Sequence, residues 1–291
     1  VVFPRDTADV ALLASLAQRP EYADIRFSAR GGGTGTNGQS LSDGLIVDMS
    51  RYMTKVLEIN AEEAWVRVEA GLVKDKLNAE LKPYGLFFSP ELSTSNRATI
   101  GGMVNTDASG QGSLVYGKTS DHVLAIKAVL EDGSLLDSAP LSGEPLQAKL
   151  AQQNREGEIY RQALETGRGM RTEIEKTFPP LNRFLTGYDL KHVYEPESET
   201  LDISRLLCGS EGTLAFITEV KLNLLPVPTS RILVNVKYDS FESALRNAPF
   251  MLEAEALSVE TVDSRVLNLA REDIVWHSVR DLITDVPGKK V

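Results

Sequence analysis

Cysteine is almost absent from this chain of 291 residues, because Cys208 is the single one. One thiol cannot form an internal disulfide or a Cys-x-x-Cys metal site, a pattern typical of a reducing compartment. Long apolar runs are absent too: segment 44–49 has the length of a buried strand, far short of the roughly 18 residues of a membrane span. We therefore expect a cytoplasmic protein without a transmembrane segment, in which Cys208 is a small buried side chain.

Basic residues are outnumbered, with 31 Lys and Arg against 41 Asp and Glu and a net charge of -10. Such a field repels nucleic acid and anionic lipid, so we expect neither as a partner. Hydrophobic residues at 42% and charged residues at 25% are typical of a globular fold. At roughly 150 residues per domain, the length predicts about two domains.

The periodicity of apolar residues predicts which segments form helices and which form strands. Helices are expected at 7–18, 73–81, 156–178, 241–255 and 264–271. Strands are expected at 25–29, 44–49, 56–59, 64–68, 86–89, 122–130, 135–136, 214–224, 231–238 and 256–262, with a DG turn closing the hairpin at 132–133. The chain begins at Val1 instead of Met, and its last pattern stops at Val291. We therefore expect a truncated piece whose targeting signal would not be visible.

Two glycine motifs match nucleotide-binding patterns only formally. Gly33-x-Gly35-x-x-Gly38 fits the dinucleotide fingerprint, but a strand follows where that fold needs a helix. The segment 112–119 fits the P-loop pattern G-x-x-x-x-G-K-[ST], but a strand is again expected where a helix should follow. Lys118 is therefore interpreted as a solvated loop lysine, and a P-loop-like nucleotide-binding protein stays an alternative.

Three loops of small residues support a different interpretation. They are 31–35, 99–105 and 209–213, each beside an expected strand. Successive backbone N–H groups in a glycine loop can bind an anion without any helix, because glycine adopts either sign of φ and lets a ligand approach closely. Together the three loops predict one extended ligand lying across a sheet.

The chain resembles a known family in five ordered motifs. They are RGGGTG at 30–35, PELST at 90–94, TIGGMVNTDASG at 99–110, TGYDL at 186–190 and GSEGTLAFITEVKL at 209–222. These resemble the FAD-binding domain of the p-cresol methylhydroxylase (PCMH) and vanillyl-alcohol oxidase superfamily. Within it, the likeness is greatest to the D-lactate and D-2-hydroxyglutarate dehydrogenase branch, particularly the large bacterial proteins that join an FAD module to an iron-sulfur module.

The resemblance implies an α+β fold in two parts. Residues 1–228 would be a PCMH-type FAD-binding domain with subdomains of about 1–59 and 60–228. Residues 229–291 would be the truncated start of an α+β, ferredoxin-like substrate-cap domain. The implied cofactor-binding residues are Gly31, Gly32, Gly33, Thr34, Gly35, Pro90, Thr94, Thr99, Gly101, Gly102, Asn105, Gly110, Glu211, Gly212 and Ile217.

The resemblance also implies how FAD is held. Relatives that attach flavin covalently have a histidine at the position of Thr34, and some have a cysteine in the segment matching 105–110. This chain has neither, so noncovalent FAD is expected. An iron-sulfur cluster would need cysteines that this chain lacks, so we expect one only in a missing part of a longer protein.

The implied activity is oxidation of a small D-2-hydroxy acid, such as D-lactate or D-2-hydroxyglutarate, by hydride transfer to flavin N5, with electrons passed to an unidentified acceptor. The catalytic base is expected beyond Val291, so no catalytic residue is assigned. His122, His192 and His277 lack metal-ligand spacing, and no metal site is predicted. Arg265 and Arg280 are candidates for binding a substrate carboxylate. A flavin reductase of the cell-wall-precursor type stays an alternative, and a homo-oligomer is compatible with the sequence.

Overall fold

The structure, a computed structural model, describes residues 1–181 and 187–283. Thr186 of the TGYDL motif lies outside the described residues. The chain divides into two compact units: the first contains Val1–Gly110 and Tyr116–Val227, and the second contains Gln111–Val115 and the described residues from Pro228 onward. Within the described residues, no helix is long and apolar enough to cross a membrane.

The described residues contain both helices and strands. The helices are α1 Thr7–Ala17, α2 Lys74–Leu81, α3 Ile100–Asn105, α4 Ser113–Tyr116, α5 Gly143–Leu150, α6 Arg155–Gly169, α7 Arg171–Thr177, α8 Ser204–Leu207, α9 Phe241–Asn247, α10 Ser264–Glu272 and α11 Trp276–Val279. The strands are β1 Phe27–Arg30, β2 Leu45–Asp48, β3 Val56–Asn60, β4 Trp65–Glu69, β5 Leu86–Phe87, β6 Val123–Val129, β7 Leu135–Ser138, β8 Tyr194–Glu195, β9 Thr200–Leu201, β10 Phe216–Asn223 and β11 Leu225–Pro226.

A five-stranded antiparallel sheet forms the centre of the first unit, in the order β3-β4-β10-β6-β7. Strand β10 alternates buried and partly buried residues, as its sequence predicted, and lies between β4 and β6. Apolar side chains from α2, α3 and the sheet form the main core, in which Leu77, Ile100 and Val220 are almost fully buried. This core fixes α3 against the sheet.

A separate parallel pair, β1 and β2, lies beside α1 and has its own core. Val10 of α1 and Val47 of β2 are fully buried there. Helix α1 begins where Asp6 accepts a hydrogen bond from the backbone N–H of Asp9 at 3.0 Å, a common helix N-cap. The pair β1-β2 places the end of β1, and the glycine segment that follows it, at the edge of the candidate site.

The sequence predictions succeed for most elements of the first unit but miss α3. Segment 99–105 was expected to be a loop, whereas Ile100–Asn105 is helical with Thr99 as its N-cap. Gly101 and Gly102 each disfavour a helix by about 1 kcal/mol relative to alanine. Complete burial of Ile100 and near-complete burial of Met103 offset that cost.

The strands expected in the second unit are wrong. Neither 231–238 nor 256–262 forms a strand, and no ladder lies within the described residues 228–283. β-Branched residues favour an extended backbone, but a strand also needs a hydrogen-bonded neighbour and a covered face. Ile232, Leu233 and Val234 are 86%, 77% and 74% exposed, so nothing in that unit covers the segment. Its helices α9 and α10 begin close to their predicted positions, at Phe241 and Ser264.

Candidate functional site

A cavity of about 640 Å³ lies in the first unit, bordered by the end of β1, by α3 and by the loop before β10. Its volume is typical of a small-molecule or cofactor site. The sequence-predicted cofactor residues that line it are Gly31, Gly32, Gly33, Thr34, Gly35, Thr94, Thr99, Gly101, Gly102, Asn105, Glu211, Gly212 and Ile217. Three segments that are distant in sequence therefore meet around one space.

Pro90 and Gly110 are the two sequence-predicted residues that do not line the cavity. Pro90 is buried. A Cβ on Gly110 would collide with the backbone carbonyl oxygen of Glu91. The structure therefore places these two residues in the packing behind the wall.

The segment 31–35 leaves its backbone donors free. The N–H groups of Gly32, Gly33, Thr34 and Gly35 reach no acceptor within the part of the chain that the structure describes. Gly33 has a φ of 64°, which favours glycine. A Cβ on Gly31 would meet the Thr99 side chain, so this segment packs directly against the start of α3. A row of unpaired N–H groups is suited to an anionic ligand such as a pyrophosphate.

Helix α3 presents bare backbone to the cavity. Thr99 Oγ1 accepts a hydrogen bond from Gly102 N–H at 3.4 Å, which caps the helix. A Cβ on Gly101 would lie 2.7 Å from Ala70 Cβ, so this glycine allows α3 to pack on the sheet. A Cβ on Gly102 would meet only Thr99 Oγ1, at 3.2 Å. Gly102 therefore keeps open space on the cavity side of the helix.

The third segment is tied to the end of α3. Asn105 Oδ1 accepts from Gly212 N–H at 3.1 Å, and Asn105 O accepts from Glu211 N–H at 2.8 Å. Ile217, in β10, is 3% exposed and lines the cavity. The side chain of Asn105 thus sets the position of the loop that carries Glu211 and Gly212.

Glu211 has a backbone conformation that glutamate rarely adopts, with a φ of 54°. Burial raises the pKa of its carboxyl group, and a hydrogen bond from Gln39 partly opposes that rise. Left-handed backbone at a residue other than glycine costs of order 1 kcal/mol or more. Strain of this kind is often retained at ligand sites.

We expect Glu211→Gly to stabilise the chain without ligand by up to about 1 kcal/mol, because glycine adopts a positive φ without strain. If the carboxyl group contacts FAD, the same change lowers FAD affinity. Glu199→Gly is the matched control, because Glu199 has a φ of 50° in an exposed turn away from the cavity. Chemical denaturation and FAD titration of both variants test this. Equal FAD affinity in the two variants would contradict a role for the Glu211 carboxyl group.

Lys118 is not the solvated loop lysine that the sequence predicted. Its side chain is 9% exposed and its ammonium lies 2.7 Å from Asp107 Oδ2. Lys118 Nζ also donates to Ser120 Oγ, and Lys118 lines the cavity. The error arose because Asp107 is distant in sequence and gave no local sign of an ion pair.

The structure contradicts the P-loop alternative and agrees with rejection of the dinucleotide fingerprint. After Gly117 and Lys118 the chain forms a 3-10 turn at Thr119–His122 and then strand β6. After Gly38 it forms turns and then strand β2. Neither glycine motif is followed by the α-helix that would hold a phosphate at its N-terminus.

The histidines do not line the cavity. His122 is buried, and its Nε2 lies 2.6 Å from Tyr116 O and 3.2 Å from Ser89 Oγ. His192 Nδ1 lies 2.8 Å from Asp189 Oδ2. Burial of Asp189 favours a higher pKa, but hydrogen bonds from His192 and its charge outweigh this and hold the pKa of Asp189 below its ordinary value.

Among the other residues considered from sequence, Cys208 is buried as predicted and borders the cavity. Burial raises the pKa of its thiol well above the ordinary value. Arg265 and Arg280 are exposed in the second unit. Across the described residues, no group of three or more His, Cys, Asp or Glu could hold a metal ion.

Sequence reasoning missed many polar residues that line the cavity, among them Gln39, Asp107, Ser109 and Lys118. Gln39 Oε1 and Ser109 Oγ are buried and have no hydrogen-bond partner in the described part of the chain. Asp107 and Ser109 lie inside the TIGGMVNTDASG motif at 99–110, so the sequence marked their positions although it assigned their side chains no role. The glycine segments and the polar side chains around the cavity fit a large polar cofactor such as FAD.

Comparison with known proteins finds two matching families and several similar proteins. Residues 1–139 match the family described as FAD binding domain, and residues 227–289 match FAD linked oxidases, C-terminal domain. Over the whole chain, 65% of residues are identical to D-2-hydroxyglutarate dehydrogenase of Pantoea ananatis and 64% to that of Escherichia coli. A solved alkyldihydroxyacetonephosphate synthase matches 96% of this chain and 44% of its own with a TM-score of 0.61 and 18% identity. That likeness shows the fold alone.

By class, the chain is a flavoprotein with an α+β, PCMH-type FAD-binding fold, and FAD is its cofactor. The chain combines, in this order, a segment that matches a FAD binding domain and a segment that matches the C-terminal domain of FAD linked oxidases. The D-2-hydroxyglutarate dehydrogenase names give no support to the cell-wall-precursor alternative. The chain spans less than a third of these two relatives, 28% and 29% of their lengths.

Proposed function

We propose that this chain is the FAD-binding part of a D-2-hydroxy-acid dehydrogenase whose substrate is D-2-hydroxyglutarate. The observation that carries the proposal is the meeting of three glycine-containing segments around one cavity with free backbone donors. The identities of 65% and 64% to dehydrogenases named for D-2-hydroxyglutarate support the substrate. The domain division proposed from sequence, with a boundary near residue 228, is compatible with the two compact units.

In this proposal each segment has one task. The free N–H groups of Gly32, Gly33, Thr34 and Gly35 bind the pyrophosphate. Gly102 allows the cofactor to approach the backbone of α3, while Asn105 holds the loop that carries Gly212. Bound FAD supplies a hydride acceptor at flavin N5.

FAD is held noncovalently in this proposal. Thr34 stands where related proteins attach flavin through a histidine, and Cys208, the single cysteine, lies outside segment 105–110. A buried thiol whose pKa is raised by its surroundings is a poor nucleophile. Both features support a cofactor that is held by hydrogen bonds and packing alone.

The substrate-binding groups and the base come from outside the described residues in this proposal. The charged lining residues are Arg30, Asp189, Glu211 and the Lys118–Asp107 pair, and none of the three histidines borders the cavity. A base typically contributes 10²- to 10⁴-fold to such a reaction. In this proposal the electron acceptor and any iron-sulfur cluster belong to parts of the relatives that this chain does not span.

Anaerobic mixing with substrate tests the proposed activity. We expect a protein of the relatives' full length that contains this chain, loaded with FAD, to lose its flavin absorption rapidly with D-2-hydroxyglutarate. Its flavin absorption should fall slowly with the L enantiomer. The 291-residue chain should be reduced at least about 100-fold more slowly, because it lacks proton transfer to a base. D-lactate serves as a comparison substrate. Equal reduction by both enantiomers, or equal rates in the two proteins, would contradict the proposal.

A further inference from the structure

A second cavity, of about 320 Å³, lies on the five-stranded sheet of the first unit. Strands β4, β6, β7 and β10 and helix α5 contribute to its lining, and we call it the sheet groove, after the space around Ala125, Lys127, Leu141, Lys149 and Lys221. It shares no lining residue with the cavity of about 640 Å³. Its volume is at the lower end of the range for small-molecule sites.

Small and apolar residues give the groove a contact surface for an apolar ligand. Ala125, Ala139 and Leu141 line it and are each partly exposed. In the sheet register Ala125 of β6 is opposite Lys221 of β10. Because the side chain of alanine is short, the longer side chains around it leave a depression at this point of the sheet.

Cations outnumber carboxylates in the groove, although the whole chain has a net charge of -10. Four basic and two acidic side chains line it, namely Arg67, Lys127, Lys149 and Lys221 against Asp137 and Glu219. A concave surface with an excess of one charge raises the local concentration of oppositely charged ligands. The groove therefore favours an anion.

Lys221 is the cation in the groove that has no carboxylate partner among the described residues. The other three are paired, Arg67 with Glu58, Lys127 with Glu219 and Lys149 with Glu156. The ammonium of Lys221 lies 3.6 Å from the centre of the Trp65 ring. This cation–π contact holds the side chain in place, but an aromatic ring is not a strong hydrogen-bond acceptor. The N–H donors of Lys221 are therefore available to an anion.

Two like charges also face each other across neighbouring strands. Arg67 of β4 and Lys221 of β10 are directly opposite in the antiparallel register. Like charges in this arrangement destabilise a sheet, and Glu58 compensates only the Arg67 side. An anion bound at Lys221 would reduce this repulsion.

The sheet edge beside the groove is closed to an added strand. Asp137 of the edge strand β7 donates its backbone N–H to Glu156 Oε1 at 2.9 Å, and its carbonyl oxygen accepts from Tyr160 Oη at 3.0 Å. A peptide that extends a sheet needs free edge groups of this kind. The closed edge and the bounded volume favour a small molecule over a protein segment.

We propose that the sheet groove binds a small organic anion with an apolar body, of the class of medium-chain carboxylates. The carboxylate accepts hydrogen bonds from the Lys221 ammonium, beside the Arg67 guanidinium, and the apolar body lies on Ala125 and Leu141. The inference is independent of the proposed function, because the two cavities share no lining residue.

Octanoate is the probe, titrated by calorimetry into the 291-residue chain saturated with FAD. We expect one saturable site with a dissociation constant on the order of 1 mM or below. Acetate carries the charge without the apolar body, and octan-1-ol carries the body without the charge. Each should bind at least about 10-fold more weakly than octanoate. The same titrations without FAD should give the same affinities for the groove.

Variants assign the binding to the groove. Lys221→Gln should weaken octanoate binding about 5- to 10-fold, whereas Lys221→Arg keeps the charge and should stay within about twofold of the parent. Ala125→Leu fills the depression and should weaken binding at least about 10-fold. Lys76→Gln is the matched control, because Lys76 is exposed on α2 and borders neither cavity. It removes the same charge and should leave octanoate affinity unchanged.

Thermal unfolding of each variant shows whether the fold is retained, and the comparison of Lys221→Gln with Lys221→Arg decides the matter if Ala125→Leu does not fold. Absence of saturable octanoate binding, or equal affinities in Lys221→Gln and Lys76→Gln, would overturn the inference. Octan-1-ol that binds as tightly as octanoate would overturn the role of the charge. Acetate that binds as tightly would overturn the role of the apolar surface.

Discussion

Lys118→Met alone is expected to destabilise the chain by about 3 to 5 kcal/mol. The change leaves the Asp107 carboxylate, 10% exposed, without the ammonium that lies 2.7 Å from it. Removing one partner of a buried ion pair leaves an uncompensated buried charge. Urea denaturation of the chain without FAD measures the loss directly, because the midpoint falls with the free energy of unfolding.

The double variant Lys118→Met with Asp107→Asn separates charge from packing. Asparagine tolerates the left-handed backbone at residue 107 as aspartate does, and it carries no charge. We expect the double variant to recover most of the free energy of unfolding that Lys118→Met loses, since replacing both partners of a buried pair is often nearly neutral. If Lys118→Met is as stable as the parent, the buried pair described here does not exist.

Gly102→Val is expected to weaken FAD binding at least about 10- to 100-fold while changing stability by less than about 1 kcal/mol. A Cβ there meets only Thr99 Oγ1, at 3.2 Å, and valine is no worse in a helix than glycine. Its methyl groups would enter the space along α3 where we propose that the cofactor lies, and overfilling a packed contact costs about 1 to 3 kcal/mol. Fluorescence titration and urea denaturation give the two quantities.

Two other glycines are controls for Gly102→Val. Gly32→Ala should damage the fold itself, because its Cβ would collide with the backbone carbonyl oxygen of Arg97. Gly169→Val, at the end of α6 with no atom near its Cβ, should affect neither quantity. Normal FAD affinity in Gly102→Val would show that the cofactor does not approach α3.

The sequence predicted the backbone segments that line the cavity more accurately than the polar side chains that line it. Glycine segments such as 31–35 carry their own signal, because few other reasons explain so many glycines together. The contact between Lys118 and Asp107 joins residues of two loops, so no periodicity could indicate it. Helix α3 was missed because Gly101 and Gly102 lower its propensity, whereas burial of Ile100 stabilises it in the fold.

Helix α3 is an element that the sequence missed, whereas segment 231–238 was predicted as a strand that the structure does not form. Its residues Ile232, Val234 and Val236 favour an extended backbone, and the sequence therefore predicted a strand. A ladder depends on a neighbouring strand, which the sequence of one segment does not specify. The exposed side chains of this segment show that local preference alone does not make a sheet.

The central claim, a cavity that binds FAD noncovalently, is tested most directly by one measurement. The 291-residue chain, freed of ligand, is mixed with FAD, passed through a gel-filtration column and then precipitated with acid. We predict that FAD co-elutes with the chain in a one-to-one ratio and that acid releases all of it into the supernatant. Elution without flavin, or yellow colour retained in the protein pellet, would contradict the claim.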